Sequence, residues 1–165
     1  MTNGVPLVFS YTPSLVAFLD ILGFRALTCQ PTTEAEVSMA FVGQQLRQVA
    51  LERSEHTHNR IAFDVRMFSD CICLIAEDSV IGAAALVDSV AYLSLTFANN
   101  RLLLRGGIAR GRHFHSEDMV FSEALVEAYE LESKIAKYPR TLVADSVAAL
   151  ARQRSPLFFA LTSTG

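Results

Sequence analysis

Residues 14–24, S-L-V-A-F-L-D-I-L-G-F, define the first element of the chain, and the rest of the fold follows from it. Residues 14–21 form an apolar run that contains one acid, Asp20, and Gly23 lies just beyond the run. A short apolar run closed by a glycine is typical of a buried strand that ends in a tight turn. The sequence therefore predicts a central strand whose last residues include a carboxylate.

The patterns on the C-terminal side of this strand predict the fold class. They are a helix over residues 32–52, a hairpin of residues 60–68 and 71–75 around Ser69-Asp70, a helix over 78–98, a strand over 101–109, a helix over 121–136, a strand at 141–143 and a helix over 145–153. This βαββαβ order is typical of a ferredoxin-like α+β fold, with a mainly antiparallel sheet and its helices on one face. Because 51% of the residues are hydrophobic, we expect a second copy of the chain to cover the other face.

Size and composition exclude several classes of protein. A chain of 165 residues is the usual size of one domain, so residues 1–165 are expected to form a single unit. The net charge of −3 provides no basic surface for nucleic acid. Three cysteines do not make a disulfide framework, and no apolar stretch reaches the roughly 20 residues that span a bilayer. We expect a cytoplasmic protein without a membrane or nucleic-acid partner.

Two acids stand at neighbouring strand ends. In this fold the first strand lies beside the third, so Asp20 and the hairpin residue Asp70 are expected at the same edge of the sheet. Two adjacent carboxylates repel each other unless a cation lies between them, and Mg²⁺ prefers one or two carboxylates together with phosphates. The backbone amides that follow Asp20 suit a polyphosphate. The alternative is that the two acids are unrelated surface residues.

Four motifs occur in the order found in a known enzyme family. They are F-L-D-I-L-G-F (18–24), F-S-D (68–70), L-R-G-G-I-A-R-G (104–111) and F-S-E-A-L-V-E-A-Y-E-L-E-S (121–133). Over about residues 15–147 the chain resembles the catalytic domain of class III nucleotide cyclases. The Ser-Asp hairpin, the R-G-G strand and Y-P-R (138–140) resemble a bacterial subgroup, the pyrimidine cyclases of Pycsar anti-phage defence.

This resemblance implies an activity and its partners. The expected reaction converts UTP to 3′,5′-cyclic UMP and pyrophosphate, with two Mg²⁺ or Mn²⁺ ions per site. A homodimer is implied, as is a separate effector that responds to the cyclic nucleotide. UTP is favoured over CTP because two arginines near the base, both donors only, match a uracil edge rich in acceptors. A cytidylate cyclase that forms cyclic CMP is the alternative.

The resemblance also assigns roles to individual residues. The metal ligands are Asp20, the carbonyl of Ile21, and Asp70. The triphosphate loop is Leu22, Gly23, Phe24 and Arg25, and Arg66 occupies the base-reading position. Arg105 is expected to reach the same pocket, and Phe68 and Tyr129 are assigned to it because a pyrimidine, smaller than a purine, needs bulkier side chains around it. Asp20, Asp70 and Arg105 are the expected catalytic residues.

The chain departs from the family pattern at several positions. Counting through E-L-E-S, Val126 and Glu130 replace the transition-state Asn and Arg of the family. Either another cation (Arg105, Arg110 or Arg140) acts in their place, or the alignment slips at this helix, or the chain is catalytically weak. A second hypothesis is a silent module for dimerisation or nucleotide binding. Met119 replaces the acid that reads adenine, which argues against an adenylate cyclase. A lysine used by the family would lie beyond Gly165, so a truncated domain is also open. A ferredoxin-like binding domain without metal is a third hypothesis.

Two groups of polar residues receive structural rather than functional predictions. The glutamates of the 121–136 helix are expected on a solvated face, with Glu127 or Glu130 pairing with an arginine at a dimer interface as the alternative. His113 and His115 have the spacing of a zinc-binding pair on a strand, but exposed loop positions are favoured for both.

Overall fold

The computed structural model describes residues 10–29, 32–56, 62–116 and 119–154. The elements, in chain order, are β1 (Thr12–Leu22), α1 (Phe24–Cys29), α2 (Thr33–His56), β2 (Phe63–Phe68), β3 (Cys71–Glu77), α3 (Val80–Asn99), β4 (Leu103–His115), β5 (Val120–Ser122), α4 (Glu123–Glu130), β6 (Thr141–Val143) and α5 (Asp145–Arg154). A π-helical segment, Leu131–Ile135, continues α4.

The strands form one sheet in the order β2-β3-β1-β4-β5, with β6 paired to β4. All pairs are antiparallel except β4 with β6. The central place of β1, beside the third strand, agrees with the prediction. The register sets Asp20 opposite Cys71 on one side and Arg105 on the other. The predicted start of the hairpin at Arg60 lies outside the described residues.

One face of the sheet carries the main core. Alternate residues of β1 (Leu15, Ala17, Leu19 and Ile21) are fully buried there against residues of α2, α3 and α5. Helix α3 is long and apolar enough to cross a membrane by length and composition alone. Its apolar side is nonetheless part of this core, where Leu86, Leu93 and Phe97 are completely inaccessible to solvent. The hydropathy of α3 therefore reflects its packing against the sheet.

Helix α4 packs on the opposite face, which we call the second face. Its Ala124 and Ala128 contact Val16 and Phe18, the residues of β1 that alternate with the main core. A Cβ at Gly107 would stand 2.2 Å from the carbonyl oxygen of Ala128, so only glycine lets α4 approach β4 this closely. The predicted α+β class is correct, with one difference: α4 covers part of the face that was expected to be left for a partner.

Two further predictions differ from the structure in detail. Residues 121 and 122, at the start of the predicted third helix, belong to β5, because β4 continues to His115 and pairs with Val120–Ser122. His113 consequently lies within a strand and is 2% exposed, so its predicted position in an exposed loop is wrong. The short helix α1 was not predicted, since six residues are too few to display a helical period.

Candidate functional site

The structure brings Asp20 and Asp70 to one edge of the second face. Asp20 is near the end of β1, and Asp70 is in the tight turn between β2 and β3, beside Ser69 with its left-handed φ of 56°. The amide of Ile21 donates to the carbonyl oxygen of Asp70 at 3.0 Å. This bond fixes the two acidic segments to each other through their main chains.

A chain of charged groups extends from Asp20 across β4. Nη2 of Arg105 lies 3.4 Å from Oδ2 of Asp20, while its Nε donates to Oε1 of Glu132 at 2.6 Å. Nη2 also pairs with the same Glu132 oxygen. Burial raises the pKa of Asp20, the negative charge of Glu132 raises it further, Arg105 opposes this, and Asp70 adds a smaller increase. Asp20 therefore lies in surroundings that favour compensation by a cation.

Glu132 is the site residue that the sequence did not identify. It is 3% exposed, so its expected position on a solvated face is wrong. The segment Leu131–Ile135 is π-helical, and positions there do not follow the α-helical spacing on which the expectation rested. The signal that could have identified Glu132 is the E-L-E-S motif itself, taken together with an arginine on the facing strand.

The nearby cysteines carry no charge at neutral pH. The thiol of Cys71 lies 3.6 Å from Oδ1 of Asp70, and burial together with the aspartate charges raises its pKa to about 12. Burial likewise raises the pKa of Cys73 to about 11. The charged groups here are thus three carboxylates (Asp20, Asp70 and Glu132) against the guanidinium of Arg105.

This excess of negative charge fits a hard divalent cation. No three His, Cys, Asp or Glu side chains in the described ranges are grouped so as to hold a metal by themselves. A cation at Asp20 and Asp70 would need further oxygen ligands from the main chain, such as the carbonyl of Ile21, or from a bound phosphate. Such mixed coordination is what Mg²⁺ ordinarily adopts.

The turn after β1 supplies backbone amides next to Asp20. Gly23 adopts a φ of +79°, the left-handed conformation that favours glycine, and α1 begins at the next residue. The side chain of Phe24 is buried in the core, so only its amide is available, whereas Arg25 is exposed. Amides in the first turn of a helix lack intrahelical acceptors. This turn can therefore donate hydrogen bonds to an anion.

The predicted base-binding residues lie on the same face. The register aligns Phe68 with Cys71 and hence with Asp20. Arg66 is aligned with Cys73 and hence with Phe18. Arg66 is half-buried and pairs with Asp64 at 2.7 Å. Phe68 is 54% exposed and Tyr129 is 51% exposed, with the Tyr129 ring edge-on to Phe18. Phe68 and Tyr129 therefore offer exposed aromatic rings on the same face as the acids.

The remaining candidate cations differ in position. Arg110 is opposite Leu15, on the main-core side of the sheet, and its Nε donates to Asp78 at 2.9 Å. It therefore cannot replace a catalytic arginine beside Asp20. Arg140 is exposed and donates to the carbonyl of Ile135 at 3.3 Å. Val126 is 60% exposed and Glu130 pairs with Lys134 at 2.6 Å, so neither contributes to the charge at Asp20.

Of the comparisons with known proteins, the one with solved structures finds similar proteins. No protein-family model matches the sequence, and no curated protein matches it. Among solved structures, the adenylyl cyclase CyaB from P. aeruginosa is similar with 18% identity and a TM-score of 0.58, covering 89% of this chain and 84% of that one. A rhodopsin-guanylyl cyclase core with converted specificity, in complex with ATPαS, has 16% identity, a TM-score of 0.60, and coverages of 85% and 80%.

A bacterial light-regulated adenylyl cyclase is also similar, with 14% identity and a TM-score of 0.63. The match covers 91% of this chain but 48% of that protein, so the chain spans about half its length. At such low identities the similarity establishes the fold. The predicted fold, that of class III nucleotide cyclase catalytic domains, is confirmed.

Proposed function

We propose that this chain is a pyrimidine nucleotide cyclase, converting UTP to 3′,5′-cyclic UMP and pyrophosphate with Mg²⁺ or Mn²⁺. The observation that carries the proposal is the convergence of Asp20 and Asp70 at one sheet edge, next to the Gly23 turn. The cyclase fold supports it, as does a nucleotide analogue, ATPαS, in a solved protein of that fold. The pyrimidine preference rests on the sequence resemblance.

Each group in the site has a role in this reaction. Asp20, Asp70 and the carbonyl of Ile21 would hold the cations. Bound divalent ions supply charge neutralisation at the phosphates and lower the pKa of the ribose 3′-hydroxyl. The 3′-oxygen attacks the α-phosphorus, the bond from that phosphorus to the bridging oxygen breaks, pyrophosphate leaves, and the hydroxyl proton passes to solvent.

The residues after Asp20 hold the leaving group. Amides from Leu22 to Arg25 would bind the β- and γ-phosphates, and the exposed guanidinium of Arg25 would add a positive charge. Positioning and charge neutralisation together account for most of the catalysis in such a site. No protein base is required.

Base recognition is assigned to Arg66, Phe68, Tyr129 and Arg105. Two aromatic side chains give the bulk that a pyrimidine, smaller than a purine, needs for a close fit. Guanidinium groups donate and do not accept, which favours uracil over cytosine. Arg105 is held by the buried Glu132, whereas Arg66 pairs with the more exposed Asp64, so Arg66 carries the larger share of this preference.

The wider context follows from the family resemblance. A homodimer would cover the part of the second face that α4 leaves open, where Phe68 is exposed, together with the exposed Val126 and Tyr129 of α4. The product would act in the cytoplasm as a second messenger on a separate effector in anti-phage defence. The chain would form one domain, without nucleic-acid or membrane partners.

The test incubates purified protein with each of ATP, GTP, UTP and CTP in Mn²⁺, with products identified by chromatography and mass spectrometry. Cyclic UMP as the main product supports the proposal. Cyclic CMP would make the chain a cytidylate cyclase, and absence of any cyclic product would remove the enzymatic function.

A silent dimerisation or nucleotide-binding module is the second candidate. The exposed Val126 and the Glu130–Lys134 pair favour it, because they stand where the resemblance expects a catalytic Asn and Arg. Nucleotide binding in a separate titration, with no cyclic product in the assay above, would support this alternative.

A further inference from the structure

We propose that Glu132 is a positioning residue that keeps Arg105 from neutralising Asp20, so that Asp20 remains available to a divalent cation. The proposal rests on the proposed cyclase function and assigns a role to the pairing of Arg105 with Glu132. Its basis is the unequal sharing of one guanidinium between two carboxylates.

The distances show which carboxylate holds the arginine. Nε of Arg105 donates to Glu132 at 2.6 Å, and Nη2 pairs with the same oxygen. The distance from Nη2 to Oδ2 of Asp20 is 3.4 Å, longer than the roughly 2.7–3.2 Å of a good N–H···O bond. Arg105 is thus bound to Glu132 and only loosely associated with Asp20.

The burial of Glu132 strengthens the preference of Arg105 for Glu132 over Asp20. The side chain of Glu132 is 4% exposed, against 20% for that of Asp20 and 30% for that of Arg105. A buried carboxylate needs its partner more than a partly solvated one does. The close approach of Ala128 to Gly107 brings the end of α4 onto β4, and Glu132 follows directly in the π-helical segment.

The net charge of the cluster also supports this role for Glu132. With Glu132 ionised, the cluster of Asp20, Asp70, Glu132 and Arg105 is negative by two, a charge that attracts divalent cations. Neutral glutamine at position 132 removes one negative charge and releases the guanidinium to Asp20. Both effects weaken cation binding.

The experiment measures Mn²⁺ binding to the intact chain by electron paramagnetic resonance, which does not depend on turnover. E132Q is expected to bind Mn²⁺ about tenfold more weakly than wild type. The double variant R105Q/E132Q, which also removes the competing guanidinium, is expected to recover most of that affinity. E130Q is the matched control, since it removes one exposed glutamate from the adjoining helix.

Wild-type affinity in E132Q, or a double variant as weak as E132Q, would overturn the proposal. If E132Q does not fold, as judged by circular dichroism, R105Q must bind Mn²⁺ at least as tightly as wild type, and weaker binding overturns the proposal. Absence of Mn²⁺ binding by wild type would instead remove the metal-dependent function itself, together with this inference. The two failures are therefore distinguishable.

Discussion

The amide of Ile21 donates a hydrogen bond of 3.0 Å to the carbonyl oxygen of Asp70. This bond joins the end of β1 to the β2–β3 turn, so the carboxylates of Asp20 and Asp70 are anchored by segments that cannot separate without breaking main-chain contacts. A preorganised pair of acids needs little rearrangement to bind a cation. The predictions below start from this arrangement.

Asp20→Asn and Asp70→Asn should each lower cyclase activity by at least about 100-fold, since loss of groups that only orient metal ligands already costs 10–100-fold. Product formation at saturating Mn²⁺ measures the effect. Asp88→Asn, an exposed change on α3, is the control and should retain activity. Full activity in either site variant would contradict the metal assignment.

The dimer should have a solution mass near twice 18.1 kDa. We expect each site to combine Asp20 of one chain with Arg66 of the other, so a mixture of chains altered at Asp20 with chains altered at Arg66 should regain activity through one intact site per mixed dimer. Light scattering gives the mass, and activity against the mixing ratio tests complementation. An active monomer would be incompatible with this prediction.

Arg66→Ala should reduce the preference for UTP over CTP by about tenfold, since an unpaired hydrogen-bonding group in a buried contact costs about 1–3 kcal/mol. The ratio of kcat/KM for the two nucleotides is the measurement, and Mn²⁺ affinity should stay unchanged. Unaltered selectivity would remove Arg66 from the base site, even if the cyclase function holds.

The fold could be predicted from the sequence further than the site could. The apolar run at 14–21 and the acid in the hairpin turn fix β1 beside β3, because strand order and strand ends follow from local patterns. Glu132 could not be found in this way. Its burial depends on the π-helical geometry of Leu131–Ile135 and on the close packing at Gly107, and both are tertiary properties.

The long β4 illustrates the same limit. The sequence predicts a strand that ends at Ala109. In the structure, β4 continues to His115 because β1 and then β5 pair with it along its whole length. Pairing with distant segments decides strand length, and a single sequence window does not contain that information.

Cysteine reactivity should separate the three thiols. The pKa of Cys71 is raised to about 12 and that of Cys73 to about 11, and only a thiolate reacts quickly with an alkylating reagent. At pH 8, iodoacetamide should therefore modify the exposed Cys29 first. Peptide mass spectrometry with and without denaturant tests the order. Equal labelling of Cys71 in the native protein would contradict it.

His113 should make stability fall with acidification. Burial lowers the pKa of His113 below its ordinary 6.5, so the unfolded chain takes up this proton at a higher pH than the folded chain does. The contribution to the free energy of unfolding is present above pH 6.5 and is lost as the pH falls through the lower folded value. Urea unfolding between pH 7.5 and 5 should show a smaller decline in His113→Phe, and parallel curves for the two proteins would contradict this.

The amide of Ala136 donates to the carbonyl of Leu131 at 2.9 Å, a bond that spans five residues where an α-helix spans four. For sequence comparison, this one bond acts as an insertion of a single residue after α4. When this chain is aligned with a relative whose helix is α-helical throughout, positions on the two sides of the segment fall out of step by one. Against such a relative, the equivalents of Val126 and Glu130 are best checked by superposing α4 itself, which ends before the π-helical segment and is independent of the E-L-E-S count.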